Sequence, residues 1–123
     1  MSETTIYHNP KCSKSRATLA LLQELLEPEG QQPKIVLYLQ EPPDLATLKR
    51  LHTQLKVPVA SMMRVKDPDY VSQNLATADT ERCLLAIAAN SALLERPIVV
   101  HGNRAAIGRP PESVLTLFDA AHE

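Results

Sequence analysis

The sequence predicts an α/β fold that begins with a βαβ unit, continues through a helical block and ends with a ββα unit. Three observations lead to this prediction. A short apolar run of β type over 4–7 precedes a helical pattern over 15–26 and a second apolar run over 35–39. Leucine-rich helical periodicity then fills the middle of the chain. Two further short runs, separated by turn residues, precede a last amphipathic stretch. Strand, helix and strand in close succession favour a parallel pair of strands.

The first helical pattern follows a loop that contains proline. Apolar or small residues recur at the spacing of one buried helix face, and they are Ser15, Thr18, Leu19, Leu22, Leu25 and Leu26. Ser13 or Ser15 is expected to cap this helix, and Pro28 and Gly30 are expected to end it. The continuous, β-branched-rich run over 35–39 predicts a strand that is buried on both faces.

The middle of the chain predicts two main helices. Asp44 is expected to cap the first, and its apolar side carries Leu45, Leu48, Leu51 and Leu55. After Pro58, the segment 59–74 predicts a helical turn that holds Met62, Met63 and Arg64, and then a loop. Asp79 or Thr80 is expected to cap the second helix, whose apolar stripe holds Cys83 or Leu84, Ile87, Ala88, Ser91 and Leu94.

The last third of the chain predicts a hairpin and a helix. A buried strand over 98–100, a turn over 101–103 and a short strand over 104–107 form the hairpin. The segment 108–112 begins a helix whose core face holds Val114, Leu117, Phe118 and Ala121. This order of elements is that of a thioredoxin-like fold with a helical insertion at about 44–95, in a single domain over 1–123.

Composition excludes several classes of function. The formal charge of the 123 residues is −1, there is no Trp and only one Phe, so a nucleic-acid-binding surface is not expected. No apolar run approaches the roughly 18 residues that span a bilayer. The two cysteines, far apart in sequence, suggest free thiols in the reducing cytoplasm. His52, His101 and His122 show no metal-ligand spacing, so no metal site is expected.

Cys12 is the candidate nucleophile. It lies between a strand-end loop and the start of the first helix, where free backbone N–H groups and the positive end of the helix dipole favour an anion. His8, Lys11, Lys14 and Arg16 add positive charge nearby. Such surroundings lower a thiol pKa to roughly 3.5–7.5 and increase the reactive thiolate. The alternative is a half-buried structural cysteine, but a helix start among cations is a poor site for an inert core thiol.

The same stretch carries a longer motif. Tyr7-His8-Asn9-Pro10 followed by Cys12-x-x-Ser15-Arg16 resembles the active-site loop of the glutaredoxin-linked arsenate reductases, the ArsC-type family related to the Spx proteins. The resemblance extends over nearly the whole chain and implies a thioredoxin-like fold. It also implies that the Cys12 thiolate attacks arsenate, that glutathione is a co-substrate with no bound cofactor, and that glutaredoxin is a partner.

Three arginines are assigned by this resemblance to the oxyanion and its cysteine adducts: Arg64, Arg96 and Arg109. The chemistry is suitable because a planar guanidinium offers two donors to adjacent oxygens of a tetrahedral anion. Arg96 and Arg109 each precede a proline at an element boundary, whereas Arg64 lies in the predicted insertion. The alternative for each of them is a solvated surface side chain.

Four other positions complete the candidate site. His8 is expected to interact with the thiolate or with nearby polar groups, or else to be satisfied by a loop carbonyl. Ser15 occupies the place of the second thiol in a Cys-x-x-Cys motif and is expected to hydrogen-bond the sulfur or to serve as a plain helix cap. Asn9 is expected to shape the loop. Pro97 stands where thioredoxin-like proteins carry a cis proline.

The alternatives for function share the same loop. One is a glutathione-dependent thiol reductase with no role in arsenate chemistry. Another is an Spx-like regulator that binds RNA polymerase, although Ser15 argues against it because those proteins usually carry a Cys-x-x-Cys switch. Cys83 is expected to be a small core residue rather than a resolving thiol, since it lies on the apolar side of a predicted helix.

Overall fold

The computed structural model describes residues 3–118, so the predicted core position Ala121 and the histidine at 122 lie outside the described residues. One compact unit holds the chain up to Leu37 and again from Arg96, and a second unit holds Tyr38–Glu95. The predicted helical insertion at about 44–95 falls within the second unit. That the chain forms a single domain stays a prediction.

Within residues 3–118, four strands form one sheet in the order β2-β1-β3-β4. Their bounds are β1 Thr4–Tyr7, β2 Lys34–Val36, β3 Ile98–His101 and β4 Arg104–Ile107. β1 runs parallel to β2 and antiparallel to β3, and β3 pairs antiparallel with β4. The predicted parallel pair and hairpin are therefore confirmed. The hairpin turns at Gly102, whose φ of 63° is left-handed backbone that suits glycine.

Two longer helices lie with this sheet in the first unit. Helix α1 spans Ser13–Leu26 and continues into a short 3₁₀ turn over Glu27–Glu29, and a 3₁₀ helix spans Pro111–Phe118. The buried face of α1 consists of Ser15, Thr18, Leu22 and Leu26. A core cluster joins strands and helices, and its members are Ile6, Leu22, Val99, Val114 and Leu117. Full burial of each such side chain contributes roughly 1.5–3 kcal/mol, so this cluster holds α1 and its N-terminus against the sheet.

The second unit is helical. Its α-helices are α2 Leu45–Leu55, α3 Pro68–Ser72 and α4 Thr80–Ala89. Short 3₁₀ turns connect them over Val59–Met62 and Leu75–Thr77, and a third such turn, Ser91–Leu93, follows α4. Asp44 and Asp79 cap α2 and α4 by accepting a hydrogen bond of 2.8 Å from the backbone N–H three residues later. In the described part of the chain, no helix has the length and apolar character needed to cross a bilayer.

Two predictions about strand and cap positions were wrong. β2 ends at Val36 and is an edge strand whose Lys34 and Ile35 are exposed, so it is not buried on both faces. The apolar run misled because Tyr38 is buried in the turn that follows β2 rather than in a strand. The N-cap of α1 is Cys12 itself, not Ser13 or Ser15.

Two helices also differ from their predicted extents. α4 ends at Ala89, and Ser91 and Leu94 are buried beyond its end rather than on its stripe. The segment predicted as a loop after Arg64 contains the helix α3. The last helix begins at Pro111 and is of the 3₁₀ type, but Val114 and Leu117 are buried as predicted.

Candidate active site

The loop between β1 and α1 is fixed by its own hydrogen bonds. The backbone N–H of His8 donates to the carbonyl of Val36 in β2 at 2.9 Å. The Asn9 carbonyl accepts from the Cys12 N–H at 3.0 Å, and the Asn9 side chain accepts from the Lys11 N–H at 3.0 Å. This double turn at Asn9 delivers Cys12 to the N-cap position of α1, with extended backbone at φ −97° and ψ 123°.

Cys12 lies partly exposed at this helix start. Burial raises the pKa of its thiol, and four neighbours act in the opposite direction. They are the backbone N–H groups of Ser15 and Lys14, followed by the guanidinium groups of Arg96 and Arg109. Together these neighbours hold the pKa of Cys12 below its ordinary value. The arrangement favours a thiolate that solvent and small anions can reach.

Two of the predicted arginines lie beside this thiol. Nη1 of Arg109 lies 4.0 Å from Cys12 Sγ and donates to the carbonyl of Arg96 at 3.0 Å. The positive charge of Arg96 also acts on the sulfur. Both arginines precede cis peptide bonds, Arg96–Pro97 and Arg109–Pro110. The structure therefore brings Arg96, Arg109 and Cys12 together, although they are far apart in sequence.

His8 and Ser15 form a buried pair beneath the loop. His8 Nδ1 lies 2.6 Å from Ser15 Oγ, and the backbone N–H of Asn9 donates to the same Oγ at 3.0 Å. Burial lowers the pKa of His8, and the positive charge of Arg16 lowers it further, so the imidazole is held neutral. The Ser15 hydroxyl therefore serves the loop and His8. It is through its backbone N–H that Ser15 acts on the Cys12 sulfur.

Comparison with known proteins identifies the family of this chain. Residues 7–117 match the ArsC family over most of the chain. The chain belongs to the ArsC family. An arsenate reductase of Haemophilus influenzae is 50% identical over 116 residues, which are 92% of this chain and 97% of the relative. One from Neisseria meningitidis serogroup A is 47% identical, over 93% of this chain and 97% of its own length.

Solved structures agree with the family assignment. The structure of an arsenate reductase from Vibrio cholerae is 44% identical to this chain and covers 94% of it and 98% of its own length. The two superpose with a TM-score of 0.84. The predicted α/β, thioredoxin-like fold of ArsC type is therefore confirmed.

The third predicted arginine of this ArsC chain belongs to the second unit. The Arg64 backbone N–H donates to the carbonyl of Leu93 at 2.8 Å, next to a bridge between Met63 and Leu94. Its Nη1 lies 3.9 Å from Oδ2 of Asp67. Arg64 is thus held by its own unit, and its role at an oxyanion site stays a prediction.

The surroundings of Cys83 make its thiol less reactive than that of Cys12. Its side chain is only 1% exposed, and its Sγ donates to the carbonyl of Leu75 at 3.5 Å. Burial raises the pKa of the Cys83 thiol, and the negative charge of Asp79 raises it further. Cys83 is therefore a core thiol. Among residues 3–118, no three His, Cys, Asp or Glu side chains come together as possible ligands of a metal ion.

Sequence reasoning treated Arg16 and Gly108 too simply. Arg16 counted only as local charge, but its Nη1 donates to the carbonyl of Pro10 at 2.9 Å and so braces the loop. Gly108 was expected only to belong to the segment that begins the last helix, but its backbone N–H donates to the carbonyl of Pro97 at 2.9 Å. A glycine between a strand end and a candidate site arginine was the available signal in the sequence, since glycine permits close approach of the backbone.

Proposed function

We propose that this chain reduces arsenate to arsenite, with the Cys12 thiolate as nucleophile, glutathione as reductant and glutaredoxin as partner in the cytoplasm. The observation that supports it most is the Arg109 guanidinium 4.0 Å from Cys12 Sγ, beside the backbone N–H groups of α1 that lower the thiol pKa. The names of the relatives from Haemophilus influenzae and Neisseria meningitidis point to the same substrate.

The first step forms a bond between sulfur and arsenic. The Cys12 thiolate attacks the arsenic atom of arsenate, and one arsenate oxygen leaves as water after it takes up protons. The N-terminus of α1 and the fork of Arg109 provide donors for the negative oxygens, and Arg96 adds positive charge. Arg64 is proposed as a third cation for the same oxyanion.

The second step needs an external thiol because Ser15 occupies the place of a resolving cysteine. A glutathione thiolate attacks the Cys12 sulfur of the adduct, and the electron pair of the sulfur–arsenic bond stays on arsenic. Arsenic leaves as arsenite, in the trivalent state, and Cys12 is left in a mixed disulfide with glutathione. Glutaredoxin and a second glutathione then restore the thiol and release oxidised glutathione.

The test is steady-state turnover of arsenate with glutathione and glutaredoxin supplied. Cys12→Ser should abolish turnover because serine gives no thiolate. Cys83→Ser is the matched control and should retain most of the activity because Cys83 is buried in the second unit. Equal loss in both variants would contradict the proposal, and so would no turnover by the unaltered chain.

The alternatives are separated by the product of mild oxidation with glutathione present. The proposed mechanism gives one glutathione added to the intact chain, on Cys12. Loss of two hydrogens without an adduct would indicate an internal disulfide with Cys83 and would favour an Spx-like redox switch. Turnover of a glutathionyl disulfide without turnover of arsenate would indicate a thiol reductase.

A further inference from the structure

Gly108 lies at a steric contact that leaves no room for a side chain. A Cβ at this position would lie 2.6 Å from Thr18 Oγ1, 2.8 Å from Pro97 Cγ and 3.1 Å from Thr18 Cγ2. Carbon atoms of side chains do not approach other heavy atoms this closely without displacement. Gly30 and Gly102 have left-handed backbone, whereas the φ of Gly108 lies outside that region. Close packing is therefore the reason for glycine at 108.

This contact joins the helix of Cys12 to the segment of Arg109. Thr18 is completely buried, and its Oγ1 donates to the carbonyl of Lys14 at 2.8 Å, in the first turn of α1. On the other side, the Gly108 N–H donates to the Pro97 carbonyl at 2.9 Å. The next residue, Arg109, donates to the Arg96 carbonyl and lies beside Cys12 Sγ. Residue 108 therefore lies next to Thr18 of α1 and directly before the arginine that lies beside Cys12.

We propose that Gly108 is a positioning residue for the active cysteine. Its missing side chain lets the end of β4 lie directly against Thr18 of α1, and this places the Arg109 guanidinium beside the Cys12 thiolate. The proposal rests on the proposed function for the role of Arg109 in turnover. The placement of charge beside Cys12 is independent of the substrate.

The test is Gly108→Ala, followed by titration of the Cys12 thiolate through its ultraviolet absorbance in a Cys83→Ser background. The added methyl group must push residue 108 away from Thr18 and carry Arg109 from the sulfur. The pKa of Cys12 should rise. The kcat/KM for arsenate should fall on the order of tenfold to a hundredfold, as expected for a misplaced catalytic group. The titration contains no arsenate, so it is informative even if the chain does not reduce arsenate.

Two further variants separate positioning from stability. Thr18→Ala combined with Gly108→Ala removes two of the three close contacts, so the thiolate titration should return toward that of the parent. Gly30→Ala is the matched control. A Cβ at Gly30 would meet no heavy atom within 4 Å, but the φ of +68° is unfavourable for alanine, so this variant should destabilise the fold without changing the pKa of Cys12.

Each outcome decides the proposal. A raised Cys12 pKa in Gly108→Ala, restored by Thr18→Ala and absent in Gly30→Ala, supports it. So does a Gly108→Ala chain that fails to fold while the double variant folds with a near-parental titration. An unchanged Cys12 pKa in folded Gly108→Ala overturns the proposal. The proposal is also overturned if neither Gly108→Ala nor its combination with Thr18→Ala folds, because Gly108 would then serve the core rather than the site.

Discussion

The two thiols of the chain have opposite surroundings, and the difference can be measured directly. Burial raises the pKa of both, but at Cys12 backbone N–H groups and two guanidinium groups more than compensate. We expect the rate of alkylation of Cys12 to reach half its maximum at a pH below the ordinary thiol pKa of about 8.5. Cys83 should react only when the chain unfolds. Peptide mass analysis after alkylation across a pH series distinguishes them, and a Cys12 midpoint at or above that value would contradict an activated thiol.

Arg109 acts on the sulfur through one nitrogen that is also bound to the Arg96 carbonyl. Arg109→Ala should raise the pKa of Cys12 and lower arsenate turnover, because it removes both the charge and the fork of donors. Arg109→Lys should restore the charge but only part of the turnover, since an ammonium cannot contact two oxygens in one plane. Melting temperature is the control measurement. A parallel loss of stability and activity would instead assign this exposed side chain to the fold.

The junction of β1 with α1 is the element on which the site depends. Ser15 is completely buried in it, and its hydroxyl serves both His8 Nδ1 and the Asn9 N–H. Ser15→Ala should lower the free energy of unfolding by about 1–3 kcal/mol because it leaves buried polar groups without their partner. Ser13→Ala, exposed in the same turn of α1, should change it by no more than about 0.5 kcal/mol. Chemical denaturation measures both, and equal small effects would contradict the structural role of the hydroxyl.

For helices and strands, the sequence predicted the type of each element better than the residues at which it begins and ends. Periodicity located α1, α2 and α4 because each has a buried face at helical spacing. It placed β2 too long, since a buried tyrosine in a turn looks the same in sequence as one in a strand. Asp79 and Asp44 were identifiable as caps from residue type, but the Cys12 cap of α1 was not, because cysteine is no usual cap.

The arrangement of the whole first unit explains why distant residues meet. Antiparallel pairing of β1 with β3 places Tyr7 opposite Ile98, so the loop after β1 lies beside the segment that enters β3. Cys12 lies after β1, and Arg96 lies just before β3. No local pattern in the sequence contains this register, and the proximity of Arg96 and Arg109 to Cys12 was predicted only through family resemblance. The steric role of Gly108 could not be predicted in this way, because it depends on packing against Thr18.

Acid should weaken the folded chain through two histidines of the first unit, the buried His8 and the half-buried His101. Burial lowers the pKa of His8, with Arg16 acting in the same direction. Burial lowers the pKa of His101, the positive charge of Arg104 lowers it further, and the negative charge of Glu29 partly opposes both. The unfolded chain therefore binds more protons than the native chain below the ordinary histidine pKa of about 6.5. The stability is fully present above that pH, and it is lost as the pH falls from there through the native pKa of each histidine.

Urea unfolding at a series of pH values measures this loss. Each histidine can contribute a slope of up to about 1.4 kcal/mol per pH unit within its window. His101→Gln should flatten the curve because it removes one of the two groups while glutamine can still hydrogen-bond the Thr4 hydroxyl, which lies 2.8 Å from His101 Nδ1. If the variant and the parent had the same slope, His101 would take up its proton equally well in the native chain and in the unfolded chain. The contact of its ring with Phe118, 4.4 Å between centroids, would then have to tolerate the charged form.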